Sequence, residues 1–275
     1  MKRTLLFLCL VACCVIRLTA QVYQSLDLSQ PIKWENGYIL FDEQKIALGP
    51  KTFFLDGQLS DEQIKGQPYV FNSFQKAAEQ FIDGSESEPM RVYIAPYVYW
   101  IDDPNDMEIK KGKNGREPFG MVVKCQNLHL IGLNDNPRNI VLASWRGQTQ
   151  GAIGNFTMFD FWGDCMVVKN LTMGNFCNVD LEYPLKKELS KEKRNSAITQ
   201  AHVAYCHGDK IYAENVHFIS RLNMNPLNGA KRILFNKCHM ESTDDALTGT
   251  GVYLNCTFHF YGERPFWRSD MGGAI

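Results

Sequence analysis

Short apolar runs recur along the chain after a polar residue, and this repeat governs the predicted architecture. The recurring unit is a polar residue, an apolar residue, threonine or histidine, and another apolar residue. It occurs as Asn127-Leu-His-Leu, Asn155-Phe-Thr-Met, Asn170-Leu-Thr-Met, Asn215-Val-His-Phe, Lys237-Cys-His-Met and Asn255-Cys-Thr-Phe. Successive side chains of a strand point to opposite sides, so each unit predicts a short strand with one buried face.

The spacing of these units predicts an all-β solenoid. Asn127 and Asn170 are 43 residues apart, Asn170 and Asn215 are 45 apart, and the next two steps are 22 and 18 residues, with Asn155 off this register. A coil of about 22 residues fits if each of the first two steps covers two coils. Short strands at a regular period, without helices between them, favour a right-handed parallel β-helix over an all-β sandwich. Asparagines at one turn of each coil also predict a ladder of side-chain amides.

The region before the repeat predicts an N-terminal capping helix. Its apolar face comprises Phe74, Ala77, Ala78, Phe81 and Ile82. Asn72 or Ser73 caps this helix, and Asp83-Gly-Ser ends it. We expect residues 21–65 to form a polar, irregular lead-in and residues 66–275 to form the β-helix domain. The chain stops in what reads as a new strand, so we expect that domain to be truncated, with further coils beyond it.

The first twenty residues have the layout of a signal peptide. Lys2 and Arg3 precede an apolar stretch, Thr4 to Ile16, that is too short to span a bilayer. We expect cleavage near Ala20 and export of a secreted or periplasmic protein. The alternative is a lipoprotein anchored through Cys13, because Leu-Val-Ala-Cys is a lipoprotein cleavage box. No other apolar stretch is long enough for a transmembrane segment.

Charge and cysteine content narrow the function classes. Without the three basic residues of the predicted signal peptide, the chain has 26 basic and 30 acidic residues, which gives a net charge of −4. This surface gives no electrostatic reason to bind nucleic acid. The six cysteines beyond the signal peptide include no CxxC pair, so no zinc site, other metal or cofactor is expected. We interpret them as small buried hydrophobes, with disulfides as the alternative in an exported chain. We expect a monomer.

Two short segments carry the candidate chemistry. Asp244 and Asp245 are paired carboxylates at the end of a coil, and such pairs serve as nucleophile or as acid and base in hydrolases. The structural alternative is a turn that caps the coil. Arg264-Pro-Phe-Trp-Arg is the second segment, in which an arginine pairs with a uronate carboxylate while Trp267 stacks on a sugar ring. Packing within an exposed loop is the alternative for Arg264, Trp267 and Arg268.

Several motifs, in the same order, resemble the pectin methylesterase family of the pectin lyase-like β-helices. Leu128-His-Leu-Ile-Gly resembles an early coil of that family, and Gln200-Ala-His-Val-Ala resembles its QAVAL motif. Glu241-Ser-Thr-Asp-Asp-Ala-Leu-Thr-Gly occupies the place of its GTVDFIFG motif. The resemblance covers roughly residues 70–275. It implies a parallel β-helix that acts on pectin.

The resemblance also implies roles for individual residues. In that family one aspartate attacks the methyl-ester carbonyl, a second is acid and base, and glutamines hold the oxyanion. Asp245 matches the nucleophile and Gln200 matches the first glutamine. The family's YQDTL motif falls on residues 222–227, where no carboxylate is present. We expect Asn223 and Asn225 to contact the substrate there.

These observations predict a secreted carbohydrate esterase that hydrolyses methyl esters of pectin-type galacturonan. Three alternatives stay open. Asp244 and Asp245 resemble the GDDxI element of polygalacturonases, which cleave the same polymer. The arginines of the 264–268 segment resemble those of pectate lyases. The third alternative is a non-catalytic β-helix that binds polysaccharide, because the acid residue of the family's YQDTL motif is missing.

Overall fold

The computed structural model describes residues 23–113, 116–244, 246–247 and 250–262. The predicted signal peptide, Asp245 and the 264–268 segment lie outside the described residues.

The N-terminal part of the described chain is more regular than the sequence suggested. It forms an antiparallel meander of β1 (Lys33–Glu35), β2 (Tyr38–Phe41) and β3 (Gln44–Ala47). The first turn is Asn36-Gly37, and Gly37 has a φ of 81°. Asparagine followed by glycine is the strongest short hairpin signal, because the turn requires positive φ. The prediction of an irregular lead-in overlooked it.

The other strands follow in chain order and are mostly short. They are β4 (Thr52–Leu55), β5 (Val70–Phe71), β6 (Met90–Ile94), β7 (Tyr97–Trp100), β8 (Lys110–Lys111), β9 (Phe119–Lys124), β10 (Leu128–Gly132), β11 (Ile140–Ser144), β12 (Gly147–Gln148), β13 (Gly151–Ile153), β14 (Phe156–Trp162), β15 (Val167–Asn175), β16 (Ala201–Cys206), β17 (Ile211–Ile219), β18 (Ile233–Asn236), β19 (His239–Ser242), β20 (Val252–Leu254) and β21 (Thr257–Phe260).

Stacks of parallel strands form three faces around one apolar core. Face A contains β5, β4, β6, β10, the first halves of β15 and β17, β18 and β20. Face B contains β7, β11, the second halves of β15 and β17, β19 and β21. Face C contains β9, β14 and β16. The chain runs from face C through A to B in each coil, which confirms the predicted parallel β-helix.

The length of a coil differs from the prediction. Val167 pairs directly with Tyr212, so the step of 45 residues is one coil, and the pairing of His129 with Val167 makes the preceding coil 38 residues long. Later coils shorten to 22 and then 18 residues. The long coils carry insertions between faces B and C, such as residues 176–200. Reading the long gaps as double coils was therefore wrong.

The predicted asparagine ladder is confirmed for one pair of side chains. Further residues at the same corner share only the backbone conformation. Asn215 Nδ2 donates to Asn170 Oδ1 at 3.0 Å. These two residues share a corner with Lys237 and Asn255, and all four are left-handed, with φ between 52° and 55°. Asn127 belongs to a different corner, because Gly132 is the residue packed against the Asn170 carbonyl. Asparagine tolerates this backbone region better than lysine does.

The predicted capping helix is present but shorter. Helix α1 (Phe74–Ala78) begins at Ser73, whose side chain accepts from the Lys76 N–H. Beyond the helix, Cys125 Sγ of the adjacent coil donates to the Ile82 carbonyl (3.3 Å). No helix among the described residues is long and apolar enough to cross a membrane.

The cysteines of the described residues are free thiols. Cys125, Cys177, Cys206 and Cys238 are buried, and Cys165 and Cys256 are half-buried. Within the described ranges, no group of three or more histidine, cysteine, aspartate or glutamate residues is arranged to hold a metal ion.

We predict that Lys237→Asn stabilises the fold. Lys237 has a φ of 54°, and relieving a left-handed lysine raises the free energy of unfolding by about 1 kcal/mol. Urea unfolding measures the change. The matched control is Lys231→Asn, at an exposed lysine without positive φ. Equal stability of the Lys237→Asn protein and the wild type contradicts the prediction.

Candidate functional site

One corner of the β-helix, where face B turns towards face C, brings three segments together. Gln200, Leu222 and Asp244 are spaced by 22 residues and lie on successive coils. Leu222 and Asp244 form a parallel bridge, and β16 donates a backbone hydrogen bond to the 222–225 segment at 2.8 Å. Neighbouring strands lie about 4.8 Å apart, so Gln200 and Asp244 are roughly 10 Å apart along the axis. We call Gln200, residues 222–225 and Asp244 the Gln200 corner.

A buried imidazole holds the Gln200 amide. His202 is 1% exposed, and its Nε2 lies 3.2 Å from Gln200 Oε1. In this orientation of the amide its oxygen faces Nε2 and only accepts, so Nε2 carries the proton and Nδ1 is an acceptor. Burial lowers the pKa of His202 to about 4, so the ring is neutral at pH 7. In this orientation the Gln200 amide oxygen accepts from His202, and its Nε2 makes no hydrogen bond with the described residues.

The other nitrogen of His202 lies among hydroxyl groups. Thr157 Oγ1 is 3.1 Å and Tyr205 Oη is 3.4 Å from Nδ1. Tyr205 Oη in turn accepts from Asn225 Nδ2 at 3.4 Å. A chain of hydrogen bonds therefore runs from Asn225 through Tyr205 and His202 to Gln200. The structure joins two of the predicted site residues, Gln200 and Asn225, through this chain.

A carboxylate borders the same network. Glu117 Oε2 lies 3.7 Å from His202 Nδ1 and 3.4 Å from Thr157 Oγ1, while Asn155 Nδ2 donates to Oε1 at 3.1 Å. Burial, followed by the charge of Glu117, raises the pKa of Tyr205 to about 12. Tyr205 therefore keeps its proton and remains a donor. Glu117 was missed from the sequence, because these partners lie on different coils.

The middle coil of the corner carries two asparagines with left-handed backbone. Asn223 has a φ of 48° and Asn225 a φ of 51°, and Asn225 is 3% exposed. Asn223 Oδ1 is buried without a hydrogen-bond partner among the described residues. A buried acceptor of this kind needs a donor, such as a water or a substrate hydroxyl. The structure places both asparagines at the corner, and their contact with substrate stays a prediction.

Asp244 is directed along the stack of coils. A Cβ at Gly262 would lie 1.8 Å from Asp244 Oδ1, so the carboxyl group packs against a position that only glycine leaves open. The other candidate residues lie outside the described residues: Asp245, Arg264, Trp267 and Arg268. Their roles remain predictions.

A groove beside the corner carries functional groups that the sequence did not single out. It encloses about 500 Å³ and is lined by His217, His239, Glu241 and Tyr261, among others. Arg221 Nη1 donates to Glu241 Oε1 at 2.8 Å, and its guanidinium carbon lies 4.6 Å from the Tyr261 ring centre. Hydrogen bonds from His239 and then Arg221 outweigh burial and lower the pKa of Glu241 to about 2. An ionised carboxylate, a guanidinium and an aromatic ring thus lie together at this groove.

Comparisons with known proteins bear on the fold. No protein-family model matches this chain, and no curated protein matches it in sequence. Solved structures do match. A pectin methylesterase from carrot has a TM-score of 0.50 and 13% identity, over 79% of this chain and 55% of that one. A pectin methylesterase from Erwinia chrysanthemi has a TM-score of 0.47 and 18% identity, over 75% of this chain and 54% of that one.

A further match is a pectin methylesterase mutant solved in complex with a hexasaccharide. Its TM-score is 0.49 at 19% identity, over 75% of this chain and 54% of that one. The similarity to the carrot protein shows the fold, and it agrees with the fold that the sequence resemblance implied. The chain spans about half the length of the solved structures that it matches.

We predict that acid weakens the fold through the groove histidines. Burial, aided by His239 at a ring separation of 4.8 Å, lowers the pKa of His217 from its usual 6.5 to about 4. The unfolded chain then binds more protons than the folded chain between these values, so stability falls as the pH drops from 6.5 towards 4.

Thermal unfolding at several pH values between 7 and 4 measures this dependence. The His217→Thr variant, which matches the threonine one coil earlier at position 172, should lose less stability over this range than the wild type. His259→Thr, at an exposed histidine, is the control and should follow the wild type. Identical pH curves for the His217→Thr variant and the wild type contradict the prediction.

Proposed function

We propose that this chain is an exported carbohydrate esterase that hydrolyses methyl esters of pectin-type galacturonan. The observation that carries the proposal is the Gln200 amide, whose oxygen is held by His202 so that its N–H donors are left for a ligand. One fixed donor to a developing oxyanion typically stabilises the transition state by about 3 kcal/mol. The resemblance of the 241–249 segment to the family's nucleophile motif adds support, since Asp245 directly follows a residue of the Gln200 corner.

In the proposed reaction the Asp245 carboxylate attacks the carbonyl carbon of the ester. The carbonyl oxygen becomes an oxyanion that accepts a hydrogen bond from Gln200 Nε2. Collapse of this intermediate breaks the bond to the methoxy oxygen, which leaves as methanol after it gains a proton, and an acyl-enzyme anhydride remains. Water then hydrolyses the anhydride, which releases the galacturonate carboxylate and restores Asp245.

The source of the proton sets this chain apart from the family it resembles. Asn225 stands in the segment where the family has its acid, and an amide does not transfer a proton as a carboxyl group does. We propose that water protonates the methoxide, which makes turnover slow. Arg264, Trp267 and Arg268, together with Asn223, are proposed to hold the sugar chain.

The test follows two products from highly methyl-esterified pectin, using the full-length secreted protein. We expect methanol release without new reducing ends, and loss of that release in Asp245→Ala and in Gln200→Ala. Reducing ends without methanol would replace the esterase by a chain-cleaving enzyme that uses Asp244 and Asp245. If neither methanol nor reducing ends form although the protein still binds pectin, a non-catalytic, polysaccharide-binding β-helix would be favoured.

We predict that Asn225→Asp accelerates methanol release. A carboxyl group at this position restores a general acid, and proton transfer from a positioned side chain contributes on the order of 100-fold. Because Asn225 is buried and bonded to Tyr205, we expect a smaller gain in kcat, about tenfold, with little change in KM.

The matched control for this variant is Asn255→Asp, which changes an exposed asparagine with a similar φ of 54°. It should leave both constants unchanged. A folded Asn225→Asp protein with the wild-type kcat contradicts the proposed role of this position.

A further inference from the structure

One hydroxyl group of the His202 network, that of Tyr205, has no well-formed acceptor for its proton. His202 Nδ1 offers a single lone pair, and two hydroxyl groups approach it. Thr157 Oγ1 lies 3.1 Å and Tyr205 Oη lies 3.4 Å from this nitrogen. A hydrogen bond from an O–H group weakens beyond about 3.0 Å. The shorter contact therefore assigns the lone pair to Thr157, and the Tyr205 proton remains for a ligand.

The two carboxylates nearest to Tyr205 do not take this proton. Asp160 pairs with Tyr205 in the strand register. Its oxygens already accept from three side chains, those of Arg116, Trp162 and His207. Glu117 acts on Tyr205 through its charge. Among the hydrogen bonds of the described residues, neither carboxylate accepts one from Tyr205 Oη.

Tyr205 lies where an ester hydrolysis at this corner needs a proton donor. Its Oη is 3.4 Å from Asn225 Nδ2, and Asn225 stands in the segment where the family that this chain resembles has its acid. The contacts on the two nitrogens of the His202 ring, 3.4 and 3.2 Å, keep Tyr205 Oη within about 9 Å of Gln200 Oε1. An ester with a hydrogen bond at each of its two oxygens covers roughly 8 Å. Gln200 and Tyr205 are thus close enough to hold the two oxygens of one methyl ester.

We propose that Tyr205 is the acid–base residue of this site, in place of the carboxyl group that this chain lacks. This role rests on the proposed esterase function. When the bond from the carbonyl carbon to the methoxy oxygen breaks, Tyr205 Oη transfers its proton to that oxygen, and methanol leaves.

The second half of the reaction restores Tyr205. The Tyr205 phenolate takes a proton from the water that attacks the anhydride on Asp245, which gives the galacturonic acid unit and the free Asp245 carboxylate. The proton that water supplies therefore reaches the methoxide of the next turnover through Tyr205. Asn225 Nδ2 supports both halves, because its hydrogen bond to Oη favours the phenolate over the bare oxygen.

A phenol performs this role less well than a carboxyl group. Burial, followed by the charge of Glu117, raises the pKa of Tyr205 to about 12, far above the pH at which an acid–base residue is most efficient. Methoxide is basic enough to take a proton from a phenol but gains none from the Asn225 amide. Tyr205 as the acid is therefore consistent with a slow turnover and with a gain in Asn225→Asp.

A comparison of two leaving alcohols tests this role. The substrates are tetragalacturonates fully esterified with methanol or with trifluoroethanol, and the measurement is alcohol release by the full-length protein. Trifluoroethanol is a much stronger acid than methanol, so its anion leaves without a proton donor. We expect Tyr205→Phe to lower kcat for the methyl ester by about tenfold or more and to keep kcat for the trifluoroethyl ester within about twofold. The retained activity on the second ester also shows that the variant is folded.

The matched control is Tyr212→Phe, which removes a half-buried hydroxyl group on face A that accepts from Asn236 Nδ2 at 3.3 Å. It should keep the wild-type kcat for both esters. The role of Tyr205 is overturned if Tyr205→Phe hydrolyses the methyl ester as the wild type does, if it loses both esters equally, or if the control loses as much. If the wild type itself hydrolyses neither ester, the esterase function fails, and the role of Tyr205 fails with it.

Discussion

Hydrogen bonding between successive coils is the constraint on which both the core and the candidate site depend. A single coil buries little surface, so its apolar side chains are covered only when the next coil stacks at a fixed register. At the Gln200 corner this register is reinforced by buried hydroxyl groups. Ser220 Oγ donates to the Ala201 carbonyl at 2.5 Å, and Ser242 Oγ donates to the Arg221 carbonyl at 3.2 Å. The same stacking that covers the core therefore sets the separation between Gln200 and Asp244.

Buried polar groups orient the side chains of this corner. A neutral imidazole and a phenol cost free energy to bury unless both are hydrogen-bonded. His202 meets this condition with Gln200 on one side and hydroxyl groups on the other, and its tautomer sets the orientation of the amide. On the outside of face C, the buried carboxylate of Asp160 likewise orients three exposed side chains, those of Arg116, Trp162 and His207. In both places, buried polar atoms that need partners orient the side chains around them.

The repeat and the resemblance were enough to predict the parallel β-helix. Coil length was misread because insertions such as residues 176–200 lengthen single coils, and apolar periodicity does not separate one long coil from two short ones. Helix α1 ends at Ala78, and Ile82, which the apolar spacing placed on the helix, instead contacts Cys125 of the adjacent coil. Glu117 was missed for the same reason, since it meets His202 only when face C is stacked. Contacts of this kind depend on register, which a single sequence does not state.

The protonation of His202 is the most direct test of how the corner is organised. Long-range proton–nitrogen NMR correlations at pH 7 distinguish the two neutral forms of each of the six histidine rings. We expect a proton on Nε2 of His202 and none on Nδ1, with the assignment made by comparison with His202→Asn. A proton on Nδ1 would turn the Gln200 amide around, so that its oxygen faced the ligand. That result would contradict the oxyanion role of Gln200 and the organisation of the corner described above.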